Sequence, residues 1–310
     1  MTNCNICGGP TKPIQIKEQM MGLNETFVYD QCLDCGHTHL HILPGNMARY
    51  YDTKEYYSFK TNSGLAATAI RNTQTFLKKI LLSFGIRKSF LFSSALKSLL
   101  SNKEITKNST ILDYGCGAGQ FVKELNSLGF RNTRGFDPYL PADQIYKGEL
   151  LLTNDLKLLK VASWDIITLN HVFEHLDNPL EILHNLNKLL SIKGKLLLRF
   201  PVIDSFAFEK YKENWVQFDA PRHVNLFTRK SIALLVEKAG NYKIVSMYDD
   251  SYHFQFTGSD LYLKNLSLKE ANNSRVKRLL SLKTYQYHFM AKKLNSQKKG
   301  DQIVIILEKI

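Results

Sequence analysis

From Thr110 onward, short apolar runs alternate with stretches whose apolar residues recur at helical spacing. "TILDYGCGAG" reads as a strand breaking into a glycine turn. "QFVKELNSLG" reads as a helix with apolar residues at 121, 122, 125 and 128 and a terminal glycine. "TRGFDPY", "ELLLTND" and "WDIITLN" predict the second, third and fourth strands. "DNPLEILHNLNKLLSIKG" predicts a helix with Asn178 as its cap and Pro179 at its first position, and "KLLLRFP" a fifth strand. "YKIVSMYDD" and the terminal "DQIVIILEKI" complete the sheet as a hairpin pair, strands six and seven. Such alternation predicts an α/β fold: a Rossmann-like seven-stranded sheet of mostly parallel strands with helices on both faces.

Two other stretches mix apolar residues with lysine and arginine at helical spacing, "FLKKILLSFGIRKSFLFSSALKSLL" and "RVKRLLSLKTYQYHFMAKKL". The chain front has neither pattern. It carries "CNIC" and "CLDC", each followed by glycine, and then a tyrosine-rich run, "ARYYDTKEYYSFKTNS". The predicted organisation is a small ribbon over 1–42, a tyrosine-rich connector with basic amphipathic helices over 43–107, and the α/β domain over 108–310. A basic insertion at about 257–299 separates the last two strands.

Cys4, Cys7, Cys32 and Cys35 supply four soft ligands in two C-x-x-C knuckles, the set a tetrahedral zinc needs, and Gly8 and Gly36 allow the tight turns. A closed four-thiolate site leaves no open position, so the predicted zinc is structural. His37, His39 and His41 alternate as on one face of a strand and equally as a ligand set. Tyr50, Tyr51, Tyr56 and Tyr57 suit a packing strip between ribbon and main domain, or a lid of phenols.

Open α/β sheets bind ligands at the carboxyl ends of their strands. Those ends carry Gly115 to Gly119, Asp137, Asn154 with Asp155, Asn170 with His171, and Pro201. Gly115, Gly117 and Gly119 let the backbone approach a bound group. The last glycine of a dinucleotide fingerprint would fall at Gln120 and is missing. Asp137 lies 24 residues beyond Asp113, where an acid closing the second strand accepts both hydroxyls of a ribose. The expected ligand has a ribose and no pyrophosphate.

"ILDYGCGAG", "GFDP" and "WDIITLNHVFEHLDNPLEILHNLNKLLSIKGKLLL" resemble the successive motifs of class I methyltransferases that use S-adenosylmethionine. They are closest in character to the small-molecule branch with ubiquinone-biosynthesis and cell-surface-sugar enzymes. The resemblance covers about 108–245. It implies that Asp113 and the three glycines hold the methionine part of the donor, Asp137 the ribose, and Asp155 with Leu156 the adenine. It further implies that Asn170 shapes the donor pocket near the methyl group. The ribbon and "YYDTKEYYSF" are similar to the front of bacterial methyltransferases acting on nucleotide-activated sugars. Those sugar C-methyltransferases usually carry a further C-terminal α/β domain for which this chain is too short, a departure that counts against carbon as the methylated atom; O-methylation is the expected reaction. "WVQFDAPRHVNLFTRKSIALLVEKAG" resembles the segment in which a histidine turns back over the acceptor pocket before the next helix, capped here by Thr228.

Transfer to a hydroxyl needs a base, and histidine suits neutral pH. His223 is the first candidate, with His171 and His175 as further candidates. "HVFEHL" offers rival readings. His171, Glu174, His175 and His223 are similar to a divalent-metal set in which an E-x-x-E-H run joins a distant histidine, with His171 here in place of the first glutamate. H-x-x-E-H is also a zinc-peptidase signature, but that needs a helix, and here a strand ends just before and a new helix starts just after.

The chain has 310 residues and a formal net charge of +13. Residues 71–107 carry a net +7 and residues 264–299 a net +9, so the remainder is acidic by three charges. The two basic segments read as solvated helix faces, or as contacts to an anionic membrane surface or a polyanionic substrate. No apolar run reaches spanning length and the N-terminus lacks signal-peptide character, so the expected location is cytoplasmic, with peripheral association at the inner membrane surface. The expected acceptor is a sugar or glycan precursor of bacterial cell-surface polysaccharide. The alternatives are RNA, on a zinc-ribbon RNA methyltransferase reading, and a lipid- or quinone-like molecule.

Overall fold

Short apolar runs bounded by glycine or polar turns form most strands of the central sheet in the computed structural model, which describes residues 3–51, 65–146, 148–269 and 274–310. The front holds β1 (Thr11–Lys17), β2 (Thr26–Cys32) and β3 (Thr38–Leu40), followed by α1 (Leu65–Ser83) and α2 (Ser94–Ser101). The central part runs β4 (Ile111–Tyr114), α3 (Gln120–Leu128), β5 (Thr133–Phe136), β6 (Gln144–Tyr146), β7 (Glu149–Thr153), β8 (Trp164–Asn170), α4 (Pro179–Leu189) and β9 (Leu190–Pro201). The remainder is α5 (Phe206–Tyr211), β10 (Asn225–Leu226), α6 (Arg229–Ala239), β11 (Tyr242–Asp249), α7 (Phe254–Tyr262), α8 (Ser274–Ser296) and β12 (Gln302–Lys309).

Eight strands form one sheet in the order β11-β12-β9-β8-β4-β5-β7-β6. β4 pairs in parallel with β5 and β8, and β5 with β7. All seven expected strands are present. The eighth, β6, pairs antiparallel with β7 at the sheet edge and corrects the expected count. Its three residues are largely exposed and show no apolar alternation, so no pattern announced it. The helix expected across 178–194 also ends earlier, at Leu189. Residues from Leu190 join the strand instead, and a Cβ on Gly194 would lie 2.8 Å from the carbonyls of Ser191 and Trp164.

The chain divides into two compact units. One comprises Met1–Tyr51, Phe173–Leu183 and Arg199–Ile305; the second comprises Asp52–Val172, His184–Leu198 and Ile306–Ile310. In the second unit, α2 starts at Ser93, whose hydroxyl accepts the Leu96 N–H, and lays Leu96, Leu99 and Leu100 against Ile111 of β4 and Leu125 and Leu128 of α3. Each such apolar side chain gains about 1.5–3 kcal/mol from burial.

The first unit contains the four-stranded sheet β1-β2-β3-β10. Its last strand comes from far along the sequence, pairing Asn225 with His39 and Leu226 with Thr38. The core there is aromatic: Tyr29, Tyr211, Trp215, Phe218 and Phe256 are buried together. Trp215 donates from Nε1 to Asp301 at 3.1 Å, and Asp301, buried, has its carboxyl pushed up to about 6. Tyr50 packs edge-on against Phe27 and donates to Glu25 at 2.6 Å. Tyr56 and Tyr57 lie outside the described residues. Among the described residues, no helix is long and apolar enough to cross a membrane.

Candidate functional site

In the second unit, β4 delivers Asp113 to the sheet's carboxyl edge, where it is buried. Thr168 of β8 donates to its Oδ1 at 2.7 Å and Asn170 at 3.5 Å. Burial pushes the Asp113 carboxyl up to about 7, and the charge of Asp137 adds to the rise, while the two hydrogen bonds oppose it. The chain then turns through Gly115, Gly117 and Gly119, all with positive φ. Gly115, at φ +80°, is in a conformation that strains any side chain, and a Cβ there would also lie 2.4 Å from a methyl of Val172, forcing a shift. Gly119 opens α3, and a Cβ there would meet Leu152 at 2.4 Å. Burial raises the Cys116 thiol within the turn, which leaves it a poor nucleophile.

Asp137 braces this turn. One carboxylate oxygen accepts the Gly117 N–H at 2.8 Å and the other accepts the Tyr139 N–H at 2.9 Å. Each oxygen keeps a lone pair for a further donor such as a ribose hydroxyl. Asp155 starts a single 3-10 turn after β7 by accepting the Lys157 N–H, and it and Leu156 are exposed. Asn170 ends β8 with its Oδ1 buried and unbonded, an acceptor at the strand mouth. His171 follows in a left-handed conformation at φ +54°. Asp113, Asp137, Asn170 and the glycine turn thus share one sheet edge, and a backbone cradle that a Cβ would fill suits the S-adenosylmethionine expected there.

In the first unit, the four cysteines come together. Their sulfurs all lie within 4.8 Å of one another, with Cys4 to Cys35 at 3.7 Å and Cys7 to Cys32 at 3.4 Å. A tetrahedron of Zn–S bonds near 2.3 Å has edges of about 3.8 Å, so the set fits zinc. The Cys35 N–H points at the Cys32 sulfur at 3.4 Å. Burial raises the thiols of Cys4 and Cys35, while backbone N–H groups outweigh burial at Cys32 and bring it down to about 7. Thr228, the cap of α6, ties this knuckle down by donating to the Cys35 carbonyl at 2.6 Å. The alternating histidines stay outside the cluster. His37 bonds Asn225 at 3.0 Å, with burial pushing it down to about 3, and His41 bonds Asp30 at 2.6 Å.

The same unit holds a histidine pair. "FEH" forms one 3-10 turn, Phe173–His175, so the peptidase motif has no helix to act from. His175 donates from Nδ1 to the Arg222 carbonyl at 2.7 Å, and the Tyr51 hydroxyl lies 3.2 Å from the same nitrogen. His223 donates from Nδ1 to the Gln217 carbonyl at 2.7 Å. A carbonyl only accepts, so both rings carry the proton on Nδ1 and leave a lone pair on Nε2. The rings sit 4.7 Å apart, edge to face. His223 Nε2 lies 3.8 Å from Glu174 and 3.7 Å from Asp219. Burial, and then the neighbouring His223, pull His175 below the ordinary histidine range. Glu174, His175 and His223 each bring one ligand atom within 4.8 Å of the others, a group chemically able to hold a divalent ion.

Sequence reasoning missed the buried charged cluster next to His223. Arg222 is fully buried; it is ion-paired to Asp219, donates to the Tyr50 carbonyl at 2.8 Å, and lies 3.7 Å from the equally buried Glu18. Burial disfavours the charge on Asp219, but Arg222 and His223 outweigh it and hold the carboxyl below its usual range. The available signal was "FDAPRH": an acid and an arginine three apart inside an otherwise apolar run, a spacing that charges adopt when they pair.

Among known proteins, a tRNA U34 carboxymethyltransferase of Helicobacter pylori strain HPAG1 is 29% identical over 126 residues, covering 36% of this chain and 48% of that protein. The same enzyme of strain ATCC 700392 / 26695 matches equally. The chain spans about half the length of these curated relatives. Among solved structures, a SAM-dependent methyltransferase from Archaeoglobus fulgidus is similar with a TM-score of 0.40 and 18% identity, over 65% of this chain and 86% of that one. The plantazolicin methyltransferase BpumL is similar with a TM-score of 0.42 and 17% identity, over 85% and 90%. Residues 87–246, just over half of the chain, match the methyltransferase domain family. With that match and a Rossmann-like α/β sheet carrying its glycine turn and acids at one edge, the chain belongs to the methyltransferase domain family.

Proposed function

We propose that this chain transfers the methyl group of S-adenosylmethionine to a hydroxyl of a small sugar-like acceptor, a precursor of bacterial cell-surface polysaccharide. The observation that carries the donor half is the turn of Gly115, Gly117 and Gly119 braced by Asp137 beside the buried Asp113. When bound, the donor supplies an electrophilic methyl on a sulfonium. Asp113 and the glycine turn hold its amino-acid end, Asp137 its ribose, and Asp155 with Leu156 its adenine. His223 takes the hydroxyl proton on Nε2, because Gln217 fixes its tautomer and leaves that nitrogen's lone pair free, with carboxylate oxygens of Glu174 and Asp219 at 3.8 and 3.7 Å from it. His175 orients that ring edge, and Cys4, Cys7, Cys32 and Cys35 hold a structural zinc.

The acceptor class is supported by a cavity of about 560 Å³ in the first unit. Carboxamides of Gln15, Gln19, Asn214 and Asn265 line it beside Lys17 and Lys269, groups that bond hydroxyls and phosphates. A second reading, an RNA acceptor, is favoured by the likeness to tRNA U34 carboxymethyltransferases. Calorimetry with S-adenosylmethionine and label transfer to nucleotide sugars or bulk tRNA test both. Donor binding with label on the sugars is expected. No donor binding would sink the proposal, and label on tRNA alone would replace the acceptor.

A further inference from the structure

Helix α1 in the second unit is apolar on two sides. Its inner side is engaged: Leu81 and Leu82 pack on the core that includes α2 and α3, and Lys78 pairs with Glu124 of α3 at 2.6 Å. An ordinary surface helix is polar on the remaining arc. Here Ile70, Phe76, Leu77, Ile80 and Phe84, just past the helix end, are all exposed. At 100° per residue these five fall in one sector about 120° wide. The turn that follows adds Phe90, so two phenylalanine rings stand 79% and 91% exposed within seven residues of each other. An apolar patch of this kind marks an interaction surface.

Its charge selects the partner. Residues 65–103 contain seven lysines and arginines and no aspartate or glutamate. Of these, Lys79 and Lys88 are exposed beside the stripe and the turn. A second copy docking face to face would set these cations against one another. A soluble polyanion would use the lysines and leave Ile70, Leu77 and Ile80 in water. An anionic bilayer takes both: the apolar stripe enters the headgroup boundary, and the lysines stay at the surface among the lipid charges. It also needs no matching groove, which suits a single convex helix face.

We propose that this face of α1 and the turn after it dock the protein on an anionic membrane surface, with Phe84 and Phe90 as the inserted anchors and Lys79 and Lys88 as the electrostatic contacts.

Sedimentation of the full chain with vesicles of phosphatidylcholine, alone or mixed with phosphatidylglycerol, tests this. Binding should be about tenfold stronger or more with phosphatidylglycerol. It should fall by about tenfold in Phe84→Ser/Phe90→Ser and again in Lys79→Glu/Lys88→Glu, with unchanged melting of each variant. Phe84→Trp gives an independent readout, a blue shift of its emission when the mixed vesicles are added. Failure of the wild type to sediment with the mixed vesicles would overturn the proposal. So would equal binding by the phenylalanine variant, an emission that stays put, or a dimer in ultracentrifugation that the same variant dissolves.

Discussion

A buried carboxyl with a raised pKa leaves a signature in stability. The Asp113 carboxyl sits near 7 in the folded chain against an ordinary 3.8, mainly through burial. Between those values the native state keeps a proton that the unfolded chain has lost. The stability tied to that proton is full below about pH 4 and is lost as pH rises through about 7. The wild type should therefore lose stability from about pH 5 to pH 8 relative to Asp113→Asn, on the order of 2 kcal/mol. Denaturant melts at both pH values check this, and parallel losses in the two proteins would contradict it. Donor affinity in the wild type should rise over the same range, because the ionised carboxylate suits the donor's ammonium group, and the Asn variant should lack that rise. His223 answers to a different measurement. With its tautomer set by Gln217, His223→Ala should lower turnover by about 10²–10⁴-fold while donor affinity changes little. Normal turnover in that variant would remove His223 from proton transfer.

Elements differ in how much of them the sequence could announce. Seven of the eight strands of the large sheet were legible because short apolar runs ended by glycine or a polar residue mark them, and the Asn178 cap and Thr228 cap were legible from spacing. The glycine turn was legible because only glycine tolerates its conformation, as Gly115 shows. β6 was hidden because an exposed edge strand needs no apolar pattern. β10 was hidden because two residues pair with a strand nearly two hundred positions earlier, a contact no local pattern encodes. The Arg222–Asp219 pair had a local signal in its three-residue spacing, but the approach of Glu18 to Arg222 was hidden for the same reason as β10. Thr228 shows what such distant ties add. Its hydroxyl accepts from Ser231 to cap α6 and donates to the Cys35 carbonyl beside the cysteine cluster. Thr228→Ala should cost about 1–2 kcal/mol, and Thr228→Ser, which keeps the hydroxyl, much less. Equal losses in the two variants, measured by thermal melts, would mean that packing of the methyl group on Gly36 matters more than the cap.

At the scale of the whole molecule, the candidate chemistry is divided by chain segment. The residues proposed to hold the donor, Asp113, the three glycines, Asp137, Asp155, Leu156 and Asn170, all belong to the second unit, while the four cysteines, His175 and His223 belong to the first. Zinc binding is folding free energy for the segment that carries the ligands. Here that segment supplies β1, β2 and β3, and Tyr29 of β2 donates to the His223 carbonyl at 3.0 Å. Stripping zinc, by chelation or by Cys32→Ser, is therefore expected to loosen the histidine pair and leave the glycine turn intact. Turnover should fall by about tenfold or more while donor affinity stays within a few-fold, and turnover should return when zinc is restored to the chelated wild type. Metal analysis of the untreated protein should give about one zinc per chain. A second equivalent that survives in Cys32→Ser and is lost in His223→Ala would assign Glu174, His175 and His223 to a metal rather than to a lone base. A parallel collapse of donor affinity and turnover on zinc removal would show that the two units fold as one.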